Sequence, residues 1–179
     1  LLNYSNLIGD FLDIFEILKN RRSIRKYLKK DVDKNKLDKI LELASLSPSA
    51  MNLQPYAFVV ISENSIIKNI SSACNQEWDA PIIIAVCAFP DHAWKRDDGE
   101  EYWKADAAIA TNNISLVAHA LGLGTCWIAA FQEEKIRDIL QIEPKVRVFA
   151  LTPVGYPDEK KGPVKKRKSI EELVHYEKW

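Results

Sequence analysis

Cysteine, histidine and glycine are sparse in this chain of 179 residues, and each shortage removes a class of function. The three cysteines, Cys74, Cys87 and Cys126, are odd in number and widely spaced. They make no disulfide frame and are expected as buried thiols of a cytoplasmic protein. His92, His119 and His175 stand far apart, with no cysteine or acidic partner at ligand spacing, so no metal site is expected. His119 is expected as a satisfied core histidine. Among the glycines, Gly122-Leu123-Gly124-Thr125 lacks the third glycine of a dinucleotide loop and joins a helix to a strand, the reverse of that motif's order. No Gly-x-x-x-x-Gly-Lys-Ser/Thr and no Gly-x-Ser-x-Gly occurs, and no cysteine has a local activating partner, which excludes nucleotide triphosphate hydrolysis and nucleophilic hydrolase chemistry.

An excess of charge is also missing. Lysine plus arginine and aspartate plus glutamate both total 25, so no global field recruits nucleic acid or an anionic membrane. No apolar run approaches the roughly 18 residues of a membrane span. The N-terminus shows no basic region followed by an apolar block and cleavage site, so the expectation is a soluble protein that is not secreted. A hydrophobic share of 47% over this length supports one substantial core, hence a single domain over 1–179. Residues 1–10 form an N-terminal extension and 158–179 a C-terminal arm.

Periodicity supplies the elements. Phe11, Ile14, Phe15 and Leu18 recur at helical spacing over 10–22, which predicts a helix with that face in the core. Asp33 is placed to cap a second helix bearing Leu37, Ile40, Leu41 and Ala44 on one face, and Pro48 stands where it has ended. Strands are predicted at 57–62, 81–89, 125–130 and 146–154. The second is apolar throughout and belongs at the sheet centre. Helices are predicted at 64–74, with Ile66, Ile67 and Ile70 inward, at 105–120, small or apolar nearly all round, and at 133–141. Ser169 and Glu172 form a capping box opening a short final helix. The charged stretch 91–103, with Trp94, Tyr102 and Trp103, is expected either to cover a pocket or to hold half-buried surface rings.

Two basic segments remain, one from Lys19 to Lys30 and one from Lys160 to Lys168. Each reads either as a solvated face or as a grip on a phosphate monoester. Arg21, Ser23 and Arg25 alternate through a turn and offer two guanidinium groups and a hydroxyl to one anion. The loop at 47–55 carries Asn52 and Gln54, which present a donor and an acceptor on one short side chain. The alternative is a helix-ending turn that satisfies its own backbone. With no nucleophile, metal set or acid–base pair in view, chemistry on this chain has to come from a cofactor.

The ordered set Arg-Arg-Ser-Ile-Arg-Lys-Tyr at 21–27, Ser-Pro-Ser-Ala-Met-Asn-Leu-Gln-Pro-Tyr at 47–56, Gly-Leu-Gly-Thr-Cys-Trp-Ile at 122–128, Pro-Val-Gly-Tyr-Pro at 153–157 and Ile-Glu-Glu-Leu-Val-His-Tyr at 170–176 resembles the nitroreductase family of FMN-dependent oxidoreductases. The resemblance runs from about residue 11 to the end. It implies an α+β fold with a central, mainly antiparallel sheet flanked by helices, and an interlocked homodimer that holds FMN at its interface. It implies hydride transfer from NADH or NADPH through FMN to nitroaromatics, quinones or similar small-molecule acceptors, in ping-pong order. A reductive dehalogenase or flavin-destroying oxygenase of the same family is the alternative enzyme, and a non-catalytic flavin-binding module is the alternative outside catalysis.

Carried over residue by residue, the resemblance assigns Arg21, Ser23, Lys165 and Arg167 to the FMN phosphate, with Arg22 nearby. It assigns Arg25 to the flavin N1 and C2 carbonyl, where a fixed cation stabilises the charge of the reduced ring. Pro48, Ser49, Asn52 and Gln54 come from the partner subunit to line the ring and ribityl chain. Ile128, Ala129 and Ala130 lie along the ring near N5, with Ala129 standing where many relatives carry glycine or an acidic residue.

Overall fold

The computed structural model describes residues 13–164 and 166–179. Six helices, α1 (Ile14–Asn20), α2 (Lys34–Ser45), α3 (Asn64–Ala73), α4 (Trp103–Ala120), α5 (Glu133–Leu140) and α6 (Ile170–Leu173), accompany four strands among these residues. The strands are β1 (Tyr56–Ile61), β2 (Ile82–Ala88), β3 (Gly124–Thr125) and β4 (Arg147–Gly155), in the order β1-β2-β4-β3, every pair antiparallel. The predicted sheet and its flanking helices are therefore present in one domain.

β2 lies inside the sheet and is buried along its whole length, as its unbroken apolar sequence requires. Its side chains alternate between two cores. Ile83, Ala85 and Cys87 pack with Ile67 and Ile70 of α3, Ile136 of α5 and Val148. Ile82, Ile84, Val86 and Ala88 pack with Ile40 and Ala44 of α2 and with Ala107, Ile114 and Ala118 of α4. The helix α4 is thus buried against the sheet by the small residues the sequence put there. All three cysteines are buried and unpaired. Burial pushes the Cys74 and Cys87 thiols up to about 11, so they pack as apolar groups.

At its end α4 closes with a Schellman motif. The Leu123 N–H donates to the Ala118 carbonyl and the Gly122 N–H to His119, with Gly122 at φ 75°. The chain then turns into β3 at Gly124, where a Cβ would lie 2.7 Å from the Ile24 Cβ. The missing side chain lets the basic segment lie against the sheet edge. The Ile24 N–H donates to the Thr125 carbonyl at 2.8 Å and the Leu28 N–H to Tyr156 at 2.9 Å.

Several expectations are corrected. Ile14, Phe15 and Leu18 are 51%, 65% and 59% exposed, and Ile17 is the residue α1 buries. The apolar stripe exists but faces away from this chain's core. Asp10 and Phe11 lie outside the described residues. Asp33 stands at the N-cap of α2, but its side chain makes no cap bond and its carboxylate instead accepts the Tyr156 hydroxyl at 2.6 Å. The strand expected at 125–130 contracts to β3 plus one bridge between Ile128 and Leu151. The pairing of Thr125 with Val154 and Ile128 with Leu151 keeps one register. That register sets Cys126 opposite Pro153, which has no N–H to give, so the ladder lapses there. Trp103 is buried as the first residue of α4 and walls a cleft beside Ala129 from within the fold. The rest of 91–103 folds on itself, with Trp94 edge-on to Tyr102 and Arg96 forking onto Asp98.

Candidate functional site

Adjacent arginines have different surroundings. Arg22 donates through Nε to the Gly162 carbonyl at 2.9 Å and through a terminal nitrogen to the Arg21 carbonyl at 3.1 Å, tying the start of the C-terminal arm to the end of α1. Among the described residues, the guanidinium groups of Arg21 and Arg25 meet no acceptor. Glu159 positions Arg25 by its main chain, accepting the Arg25 N–H at 2.6 Å while pairing with Lys161 at 2.8 Å. Those contacts hold the Glu159 carboxyl below the usual carboxylate range, Lys161 first and the Arg25 N–H second. Ser23 bridges to Thr125 at the sheet edge. The two unspent cations and the hydroxyl thus sit on a backbone fixed from both sides.

The arm returns to this segment. Arg167 and Arg22 line one open cleft with Leu18, Lys19, Pro163 and Val164. Lys165 lies outside the described residues. His119, in the last turn of α4, departs from the satisfied core histidine expected: it is half-buried and its Nε2 has no partner among the described residues. Burial and then the Arg21 charge hold the His119 imidazole below its ordinary value.

The loop at 47–55 is built at the other end of α4. Its centre is a 3-10 turn, Ala50–Asn52, and Met51, Asn52 and Gln54 all have positive φ. The Gln54 N–H donates to Ser49 Oγ at 2.8 Å, and the Gln54 carboxamide to the Asn52 carbonyl at 3.0 Å. The alternative of a self-satisfying turn therefore holds for part of this loop. Two contacts come from α4: the Ala50 N–H donates to Asp106 Oδ1 at 3.0 Å, and Asn113 donates to Ser47 Oγ at 2.8 Å. The Tyr56 hydroxyl donates to the Ser47 carbonyl at 2.7 Å; burial, and then the Asp106 charge, raise that hydroxyl above its ordinary value. Asn52 and Gln54 remain exposed, while Pro48 and Ser49 sit at the turn's entry.

In a third region, Ile128 is buried on β4 while Ala129 and Ala130 are exposed. Ala129 borders a cleft with Trp103, Phe131, Arg147 and Phe149. Phe149 stands where β2 and β4 shift register, and its ring meets Trp103 and Trp127 edge-on, at 6.4 and 5.5 Å between centroids.

The loop and the basic segment meet α4 at different positions. Asp106 and Asn113, which hold the loop, precede His119, which feels Arg21, by 13 and 6 positions on α4, about 20 and 9 Å at 1.5 Å per residue. Reasoning from sequence missed Asp106, Asn113, Tyr56 and Glu159. The signal for Asp106 was a lone acid within a helix otherwise small and apolar.

The nitroreductase family's sequence model matches residues 18–83 and 77–156. A protein of Methanothermobacter thermautotrophicus, carried under the provisional name NADH dehydrogenase/NAD(P)H nitroreductase, is 35% identical over 176 residues, spanning 94% of this chain and 88% of its own. The crystal structure of a nitroreductase family protein from Clostridium difficile 630 superposes with a TM-score of 0.88 at 32% identity, over 94% of this chain and 100% of that one. An FMN-dependent nitroreductase from Clostridium difficile R20291 gives 0.79 at 33% identity, over 92% and 99%. An FMN reductase [NAD(P)H] of Bacillus subtilis is 26% identical, over 92% of this chain and 73% of its own. An antiparallel sheet between two helical layers, edged by a basic segment, defines an α+β domain. This chain belongs to the nitroreductase family.

Proposed function

We propose that the chain is an FMN-dependent oxidoreductase that passes a hydride from NADH or NADPH to nitroaromatic, quinone or similar acceptors in ping-pong order. The observation that carries this reading is the pair of unspent guanidinium groups, Arg21 and Arg25, on a backbone fixed by Thr125 and Glu159. Such a pair fits a ligand with a phosphate at one end and developing charge at the other. FMN, when bound, supplies the hydride acceptor and donor that the side chains lack. Arg21 and Ser23, with Arg167 and Lys165 from the arm, hold the phosphate. Arg25 stands by the ring as a fixed charge that favours the reduced form. Arg22 acts mainly as the tie to Gly162. Ile128, Ala129 and Ala130 back the ring, and the cleft beside Ala129, walled by Phe149 and Trp103, offers room for an acceptor.

The roughly 20 Å of α4 between Asp106, which braces the strained turn, and His119, beside Arg21, supports a site shared by two chains. Pro48, Ser49, Asn52 and Gln54 then serve the partner's flavin. The relatives' names, FMN-dependent nitroreductase and FMN reductase, support the cofactor. Purified protein should take up FMN and turn yellow, bleach anaerobically with NADH or NADPH, and regain its colour when a quinone or nitroaromatic is added. A preparation that takes up no FMN would overturn the reading.

A further inference from the structure

Three of the six described non-glycine residues with positive φ fall within four positions: Met51 at 51°, Asn52 at 57° and Gln54 at 49°. Residues with a Cβ resist that conformation, and it persists only where the surroundings over-determine it. The strain lies in the loop that the proposed function gives to the flavin. What holds it is largely one face of α4. Asp106 and Asn113 are seven residues apart, two helical turns, so they form one stripe. The first accepts the Ala50 N–H at 3.0 Å, and the second donates to Ser47 Oγ at 2.8 Å, three residues upstream.

Asp106 is not explained by packing. It is 2% exposed in a helix whose other buried residues are mostly small or apolar, and its Oδ2 has no hydrogen-bond partner among the described residues. A buried carboxylate with one idle oxygen is a cost that an alanine or leucine would avoid. Among the described residues, its one side-chain hydrogen bond is to the loop. We propose that Asp106 is a positioning residue for the flavin: with Asn113, it holds the loop in the left-handed conformation that presents Asn52 and Gln54 to the partner's ring. This rests on the proposed function. Without the brace the strained loop relaxes, the competent fraction falls, and apparent affinity falls with it.

The test compares FMN and riboflavin binding by wild type, Asp106→Ala, Asp106→Asn and Asn113→Ala, together with amide exchange at 47–55 in the flavin-free proteins. Asp106→Ala should weaken FMN and riboflavin alike by about 10- to 100-fold, the loss of a charge-assisted hydrogen bond, leaving their affinity ratio unchanged. Exchange at Ala50 should quicken. Asp106→Asn keeps an Oδ1 acceptor and should stay within about threefold of wild type on both readouts. If Asp106→Ala does not fold, Asn113→Ala carries the same test, with about a 3- to 10-fold loss for both flavins. Unchanged affinity and exchange in the folded variants, or a loss confined to FMN, would overturn the role. Wild-type protein that binds no flavin would instead overturn the functional reading itself.

Discussion

Because Arg22 is spent on main-chain carbonyls and Arg21 is not, the same substitution should act differently at neighbouring positions. Arg21→Ala is expected to cost about 2 to 4 kcal/mol of FMN affinity, since a phosphate loses a charge-assisted contact and stays partly unpaired. Riboflavin affinity should not move. Arg22→Ala should instead loosen the arm at Gly162. Calorimetric titration of both variants with both flavins checks the contrast, and equal losses for FMN and riboflavin in Arg21→Ala would remove its phosphate role. His119 gives a pH dependence. Its imidazole titrates below the ordinary value in the fold, from burial and the Arg21 charge, so the unfolded chain binds the proton more readily. Its contribution to stability is present above the ordinary histidine value and is lost as pH falls through the folded one. His119→Gln should flatten that part of a denaturation series taken from pH 7.5 downward. At this scale the sequence showed which residues are charged but not which charges are already spent. Arg21 and Arg22 look alike until Gly162, 140 positions away, is placed beside one of them.

Elements were more legible than residues, because period and composition are local. β2 was readable as central from its unbroken apolar run, and α4 from its small residues. What failed needed pairing between distant segments. The lapse after β3 follows from Cys126 standing opposite Pro153, which neither stretch shows alone. Asp33 looked like a cap because the reach of Tyr156, 123 residues away, was invisible. Two predictions belong here. Glu133, at the first turn of α5, takes both guanidinium donors of Arg147 at 2.8 Å and the Val148 N–H at 2.9 Å. The Arg147 hydrogen bond holds the Glu133 carboxyl below the usual carboxylate range. Glu133→Ala should therefore cost about 1 to 3 kcal/mol at neutral pH. The difference from wild type should shrink as pH falls through the depressed folded value, which urea titrations at pH 7 and pH 3.5 measure. Gly124→Ala would set a Cβ 2.7 Å from the Ile24 Cβ. It should displace the basic segment and weaken FMN binding more than it lowers the melting temperature.

On the molecular scale, two groups of the apolar residues that this chain leaves outside its own core lie on α1 and the arm: Ile14, Phe15 and Leu18, then Ile170, Leu173, Tyr176 and Trp179, the last fully exposed. Such groups need an apolar surface to cover, and in the proposed dimer a second chain supplies it. In the proposed reading the same second chain completes the site, since Asp106, which braces the strained turn, and His119, beside Arg21, stand about 20 Å apart along α4. Truncation before Ile170 should loosen the dimer and lower flavin occupancy together. The shape of the shared site was not legible from the residues alone, since a contact between chains leaves no period in either; only the resemblance implied it. Sedimentation velocity of the FMN-loaded protein, followed at the flavin's visible absorbance and at micromolar concentration, tests the shared site most directly. The account predicts that the flavin sediments with a species of twice the chain mass, one FMN to each chain; flavin moving with a single, active chain would contradict it.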